Sequence, residues 1–166
     1  REEEKDFFRL REVSEDECKY ILTDNKYKAS EFGTAEFQTN LNPETPCNRF
    51  ICSLFAPERL LYILQYGIAY VDEKVPEKHI MRYPQMFATK QIIKRLDAGA
   101  KGGIIWHTQG SGKTALAAFS NRVIKDYFAK QGINTRFFFV VDRLDLLTQA
   151  SNEFAIRGFN AINISN

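Results

Sequence analysis

The second half of this chain is predicted to fold as α/β with a parallel sheet, and three observations carry that expectation. Residues 102–107, GGIIWH, form a short apolar run leading straight into the small-residue loop TQGSG, which an apolar helical pattern follows. Residues 136–142, RFFFVVD, are almost continuously apolar, as expected of a central strand covered on both faces. Amphipathic helical patterns alternate with these runs, and strand–helix–strand order builds right-handed crossovers in a doubly wound sheet.

In chain order, Pro84 opens a helix reaching about Asp97, with Ala88, Ile92 and Leu96 on one face and Gly99 at its end. A second helix is expected from Thr114 to Lys130, where Leu116, Phe119, Val123 and Tyr127 recur on one side and Gly132 closes it. A third runs from about Asp145 to Arg157, with Leu147, Ser151 and Phe154 inward and Gly158 at its end. Upstream the character changes. Residues 1–50 are polar and turn-rich, and KYILTDN and KYKASEFGT read as two strands of a hairpin. TNLNPETP (39–46) reads as a linker. Pro57 opens a connector helix with Leu60, Leu61, Leu64 and Ile68 at helical spacing and Gly67 as its stop, and VDEKVPEK (71–78) reads as a charged link.

Composition sets outer limits. The 166 residues are 44% apolar and 13% aromatic, enough for a packed core and unlike a disordered tail. A formal charge of +2 neither demands nor excludes nucleic acid, because a local basic patch can bind DNA on a near-neutral protein. No apolar run approaches the ~18 residues of a membrane span. Cys18, Cys47 and Cys52 show no metal-binding spacing and read as free thiols of a reducing cytoplasm. The chain does not begin with Met and both ends look cut, so an internal fragment is expected.

The loop carries the chemistry. A strand, then Gly110-Ser111-Gly112-Lys113-Thr114, then a helix brings several backbone N–H groups and the positive end of a helix dipole around one concavity. Glycine at 110 and 112 leaves no side chain between amide and phosphate. Lys113 supplies a mobile charge for β and γ phosphates, and Thr114 a hydroxyl for magnesium. Gln109, Gly110, Ser111 and Gly112 complete the cradle. A bare glycine-rich turn is the plain alternative. His107 stands where the general pattern has glycine, and a packed, hydrogen-bonded imidazole is its ordinary reading. Arg82 and Gln85 lie at the start of the preceding helix; the Gln85 amide could donate to and accept from an adenine edge, or simply face solvent on the first turn. Arg143 and Gln149 follow the second apolar run at its carboxyl end, where open α/β sheets place ligands, and could meet a DNA phosphate. Asp142 or Asp145 capping the next helix, with Arg143 a surface charge, is the alternative.

HIMRYPQMFATKQII, IIWHTQGSGKT and FFFVVDRLDLLTQ, in that order, closely resemble the start of the motor region in the restriction (R) subunit of type I restriction–modification enzymes, among the superfamily-two helicase-like ATPases. The resemblance covers roughly residues 79–157 and is weaker upstream, where ILTDNKYKASEFGT looks like the end of a nuclease domain and SLFAPERLLYIL like a joining helix. It implies a P-loop RecA-like parallel sheet, a partial first motor lobe, over 79–166. A small α+β nuclease tail at 1–50 and a connector at 51–78 would precede it. It further implies ATP and Mg2+ as cofactors, double-stranded DNA as substrate, and methyltransferase (modification) and specificity subunits as partners. On that footing the protein is an ATP-driven DNA translocase and endonuclease subunit. No Walker B pair, second-lobe arginine or nuclease carboxylates stand in these residues, so the piece alone is expected to be inactive. Another superfamily-two helicase, a P-loop phosphotransferase acting on a small metabolite, and a nucleotide-gated interaction module are the competing readings.

Overall fold

The computed structural model describes residues 13–23, 45–72, 75–162 and 164. They fall into two units that divide between Leu64 and Gln65, within the stretch expected to be a connector.

In the first unit, helix α1 (Glu15–Thr23) replaces the first strand of the expected hairpin. Its cause is local. Ser14 and Glu17 form a reciprocal cap, in which the Glu17 N–H donates to Ser14 Oγ at 3.2 Å and the Ser14 N–H donates to Glu17 Oε2 at 3.0 Å. Such a cap is worth about 1 kcal/mol and outweighs the β preference of Tyr20, Ile21 and Thr23. The hairpin's second expected strand lies outside the described residues, as does most of the 39–46 linker. Helix α2 (Pro46–Phe55) and helix α3 (Pro57–Tyr62) each carry proline in the first turn, where its missing N–H costs nothing. Cys18 from α1 and Cys52 from α2 are buried together. The Arg59 guanidinium is also buried and donates to the Ser53 carbonyl at 2.8 Å.

The expected connector helix ends at Gly67 as its sequence suggests, but its last part is not α-helical. After Tyr62 the backbone widens into a π-helical segment (Ile63–Gly67), and Leu61 and Leu64, two of the residues at helical spacing, are exposed. Ile68 is in a strand instead. Strands β1 (Ile68–Asp72) and β2 (Pro76–Ile80) pair antiparallel, with Ile68 opposite Ile80 and Tyr70 opposite Lys78. The segment expected to be a charged link is therefore largely a hairpin. Alternation explains it: Ala69 and Val71 are buried, while Tyr70 faces out with the Lys78 ammonium over its ring.

Three helices of the second unit stand almost where expected: α4 (Tyr83–Asp97), α5 (Lys113–Ala129) and α6 (Leu144–Ala155). Gly99, Gly132 and Gly158 follow their ends in left-handed geometry. Leu116, Phe119 and Val123 of α5 are buried as expected, and Tyr127 is half-buried. On α4 the buried residues are Gln85, Met86, Phe87 and Thr89 rather than Ala88, Ile92 and Leu96. Those three line a groove of about 430 Å³ beside residues 100–107. Inward on α6 the most buried residue is Ala150, with Leu147, Ser151 and Phe154 half-buried. The start of β1 and the segment before it are tied to α5: the Tyr66 hydroxyl donates to Asp126, and Arg122 Nη1 donates to the Ile68 carbonyl at 2.5 Å. Lys130 Nζ lies 2.8 Å from the same Asp126 carboxylate. Together Lys130 and Tyr66 hold Asp126 below its ordinary carboxylate value, and burial beside that carboxylate raises the Tyr66 phenol.

The expected parallel sheet is not formed. The only sheet among the described residues is the β1–β2 hairpin. Residues 102–107 and 136–140 run without ladder pairing. Their apolar residues are correspondingly open: Ile104 is 92%, Trp106 90%, Phe138 77% and Val140 90% exposed. Residues 105, 137 and 139 are markedly less so, and the Phe139 ring meets Phe154 of α6 edge-on at 5.3 Å. Both runs therefore keep the two-residue alternation of a strand, and in the second the Phe139 side lies against α6. A strand completes its hydrogen bonds only through neighbours. No described helix is long and apolar enough to cross a membrane.

Candidate functional site

Residues 107–114 join the first extended run to α5. Thr108 is the centre of the loop. Its carbonyl accepts from the Ser111 hydroxyl at 2.7 Å, the Lys113 ammonium at 2.9 Å and, more weakly, the Ser111 N–H at 3.4 Å. Gly110 and Gly112 have φ of 76° and 77°, a left-handed geometry that L side chains seldom adopt. Beyond Gly112 the helix begins at once, and the Leu116 N–H donates to the Gly112 carbonyl at 2.9 Å. Its first turn carries no acidic residue, so nothing opposes an anion at the dipole's positive end. His107 Nδ1 lies 3.4 Å from Ser111 Oγ, a packed ring within the loop.

The side chains expected to hold nucleotide are brought together in part. Ser111, Gly112 and Thr114 are half-buried around the helix start, and Gln109, Gly110 and Lys113 are exposed. Arg82 is the N-cap residue of α4. Gln85 is buried beside the loop. Its Oε1 accepts from the Arg82 N–H at 2.8 Å, and its Nε2 donates to the Gly112 carbonyl at 3.3 Å. The solvent-facing alternative for Gln85 thus does not hold.

Arg143 and Gln149 lie elsewhere on this unit, at the N-cap and on the exposed side of α6. Asp142 and Asp145 are exposed as well, and no side chain caps α6, so the capping alternative for either aspartate is not realised. Sequence reasoning missed the Thr108 carbonyl, the acceptor shared by three loop donors. A backbone group carries no signal in residue type. It also missed that the Gln85 amide has a partner across the chain.

The donor set is amide N–H groups at a helix start, an ammonium and two hydroxyls, with no carboxylate in the loop. It suits phosphate oxygens and a hard cation bound with them. At Gly110 a Cβ would meet nothing within 4 Å, so the backbone there is open to a ligand.

Comparison with known proteins agrees with this geometry. Residues 84–165, which hold α4, the loop, α5 and α6, match the family model for the SWI2/SNF2 ATPase. The chain is a relative of the endonuclease subunits of type I restriction enzymes, as its motifs led one to expect. It is 46% identical over 109 residues to the MjaVIIP subunit of Methanocaldococcus jannaschii, covering 59% of this chain and 10% of that protein. The MjaIXP subunit of the same organism is 26% identical over 153 residues, 86% of this chain and 13% of that protein. The SauCOLORF180P subunit of Staphylococcus aureus is 32% identical over 74 residues, 45% of this chain and 8% of that protein. The chain thus spans only about a tenth of the relatives it matches. No solved structure matches it.

Proposed function

We propose that this chain is part of the ATP-driven motor of a type I restriction endonuclease subunit, and that the loop at residues 109–114 binds ATP with magnesium. The observation that carries the reading is the loop itself: two left-handed glycines and a lysine set at the start of the 17-residue helix α5. In this proposal the N–H groups of residues 110–114 and the Lys113 ammonium hold phosphate oxygens, and the Thr114 hydroxyl is the protein oxygen offered to magnesium. Bound magnesium would neutralise charge on the terminal phosphates. Gln109, Ser111, Arg82 and Gln85 complete the nucleotide-facing set. To take up a phosphate, the Lys113 ammonium has to leave the Thr108 carbonyl, 2.9 Å away.

Arg143 and Gln149 are proposed to contact double-stranded DNA through its phosphates. Charge favours Arg143 for this task, and its exposure on α6 leaves it accessible. The runs at 102–107 and 136–142 are proposed to be strands of a parallel RecA-like sheet whose other strands belong to the longer protein. The open apolar faces of Ile104, Trp106, Phe138 and Val140 support that reading. ATP turnover would then drive translocation along duplex DNA before cleavage, in assembly with modification and specificity subunits.

The experiment is Lys113→Ala in the full-length protein. DNA-stimulated ATP turnover is expected to fall on the order of 100-fold or more, since a charge clamp on a transferring phosphoryl group is lost. Undiminished turnover would remove the loop assignment.

A further inference from the structure

We infer that His107 is a positioning residue of the loop: its Nδ1–H donates to Ser111 Oγ and clasps the turn at residues 108–111, from which the phosphate-binding amides start. This rests on the loop being a phosphate site, as proposed above. It gives a task to a side chain that the general loop pattern lacks, since that pattern has glycine where His107 stands.

The backbone alone closes this turn weakly. The Ser111 N–H reaches the Thr108 carbonyl at 3.4 Å, long for a hydrogen bond. Gly110, the third residue, has a φ of 76°, the positive value that a type II turn has at that position. Side chains supply what the backbone leaves short. The Ser111 hydroxyl donates to the same Thr108 carbonyl at 2.7 Å. A hydroxyl has a single hydrogen, and this one is committed to Thr108. Toward His107 Nδ1, 3.4 Å away, the Ser111 oxygen is therefore left to accept. The ring is then the donor, and the network assigns a proton to Nδ1. His107 and Ser111 are both half-buried, which limits competition from water.

The bonds thus run from imidazole to hydroxyl to carbonyl. Their value lies in what comes next along the chain. Ser111 leads into Gly112, whose φ of 77° turns the backbone into α5. Peptide planes are rigid and joined at Cα, so the placing of Ser111 sets where the amides of Gly112, Lys113 and Thr114 begin. Amides set before the ligand arrives avoid an ordering cost on binding. His107 does this without touching the nucleotide.

The test compares His107→Ala, His107→Leu and His107→Asn with wild type in the full-length protein. Leucine keeps bulk but has no donor. Asparagine carries its amide nitrogen as many bonds from the backbone as the histidine Nδ1. Affinity for magnesium–ATP is read by titration calorimetry. Alanine and leucine should each weaken binding about 3- to 10-fold, the worth of one hydrogen bond, while asparagine stays within about 2-fold of wild type. In a Ser111→Ala background, which has no acceptor, His107→Ala should cost nothing further. No loss in His107→Ala overturns the clasp. So does full affinity in His107→Leu, no recovery in His107→Asn, or a His107→Ala loss that persists beside Ser111→Ala. Failure of folded wild type to bind magnesium–ATP defeats the phosphate-loop reading itself, and the clasp with it.

Discussion

Replacing Gly112 by alanine is a quantitative test of the loop, because the structure supplies a matched control two residues away. Gly112 and Gly110 have nearly the same φ, 77° and 76°. Holding an L residue in the left-handed region costs about 1–2 kcal/mol, and both substitutions carry that cost. They differ in surroundings. The new Cβ at 110 meets nothing within 4 Å, whereas at 112 it lies 2.6 Å from Gln85 Nε2 and 3.8 Å from Cδ. The amide must move, and its bond to the Gly112 carbonyl breaks, adding ~1 kcal/mol. If these costs fall on the binding-competent loop, Gly110→Ala weakens nucleotide affinity about 5- to 30-fold and Gly112→Ala about 30- to 150-fold. Titration calorimetry or displacement of a fluorescent ATP analogue from the full-length protein reads both. Adding Gln85→Ala to Gly112→Ala removes the collision, so the double variant should lose less than the two single losses combined. Equal losses for the two alanines, or strict additivity in the double variant, would refute the close fit between loop and helix α4.

Two further outcomes concern Arg143 and Asp126. Arg143→Ala should lower DNA affinity and reduce the salt slope of binding by about 1, as loss of one phosphate contact requires; an unchanged slope would make Arg143 an ordinary surface charge. Asp126→Asn should destabilise the second unit, because the carboxylate serves both Tyr66 and Lys130. Asp126 is held below its ordinary value in the folded chain, so its contribution is present above that value and fades as pH falls through the lower one. The gap between Asp126→Asn and wild type in urea unfolding should therefore narrow on going from about pH 7 to about pH 3. A gap independent of pH would show that the carboxylate charge plays no part.

Much of the second unit was legible in the sequence because its signals are local. Proline at a first turn, glycine after a last turn and the recurrence of Leu116, Phe119 and Val123 each act within one or two turns. They placed three helices to within about two residues. The first unit departs from its expected hairpin for a related reason. Ser14 and Glu17 carry a helix signal just as local, and it prevails over the β preference of Tyr20, Ile21 and Thr23. The pairing of 68–72 with 76–80 was hidden because the charged residues of this stretch obscure the alternation that turns Ala69 and Val71 inward together.

By itself, then, the sequence determined where the helices of the second unit start and stop, and where the glycine-rich loop falls between them, since backbone preference and capping act over a few residues. Only tertiary structure decided what each buried polar group is for. Whether the Gln85 amide meets solvent, a base or the loop depends on Gly112, 27 residues away in the chain. Whether residues 102–107 and 136–142 become paired strands depends on neighbours that no local preference supplies. Hydrogen bonds and packing between distant segments exist only once the chain has brought them together.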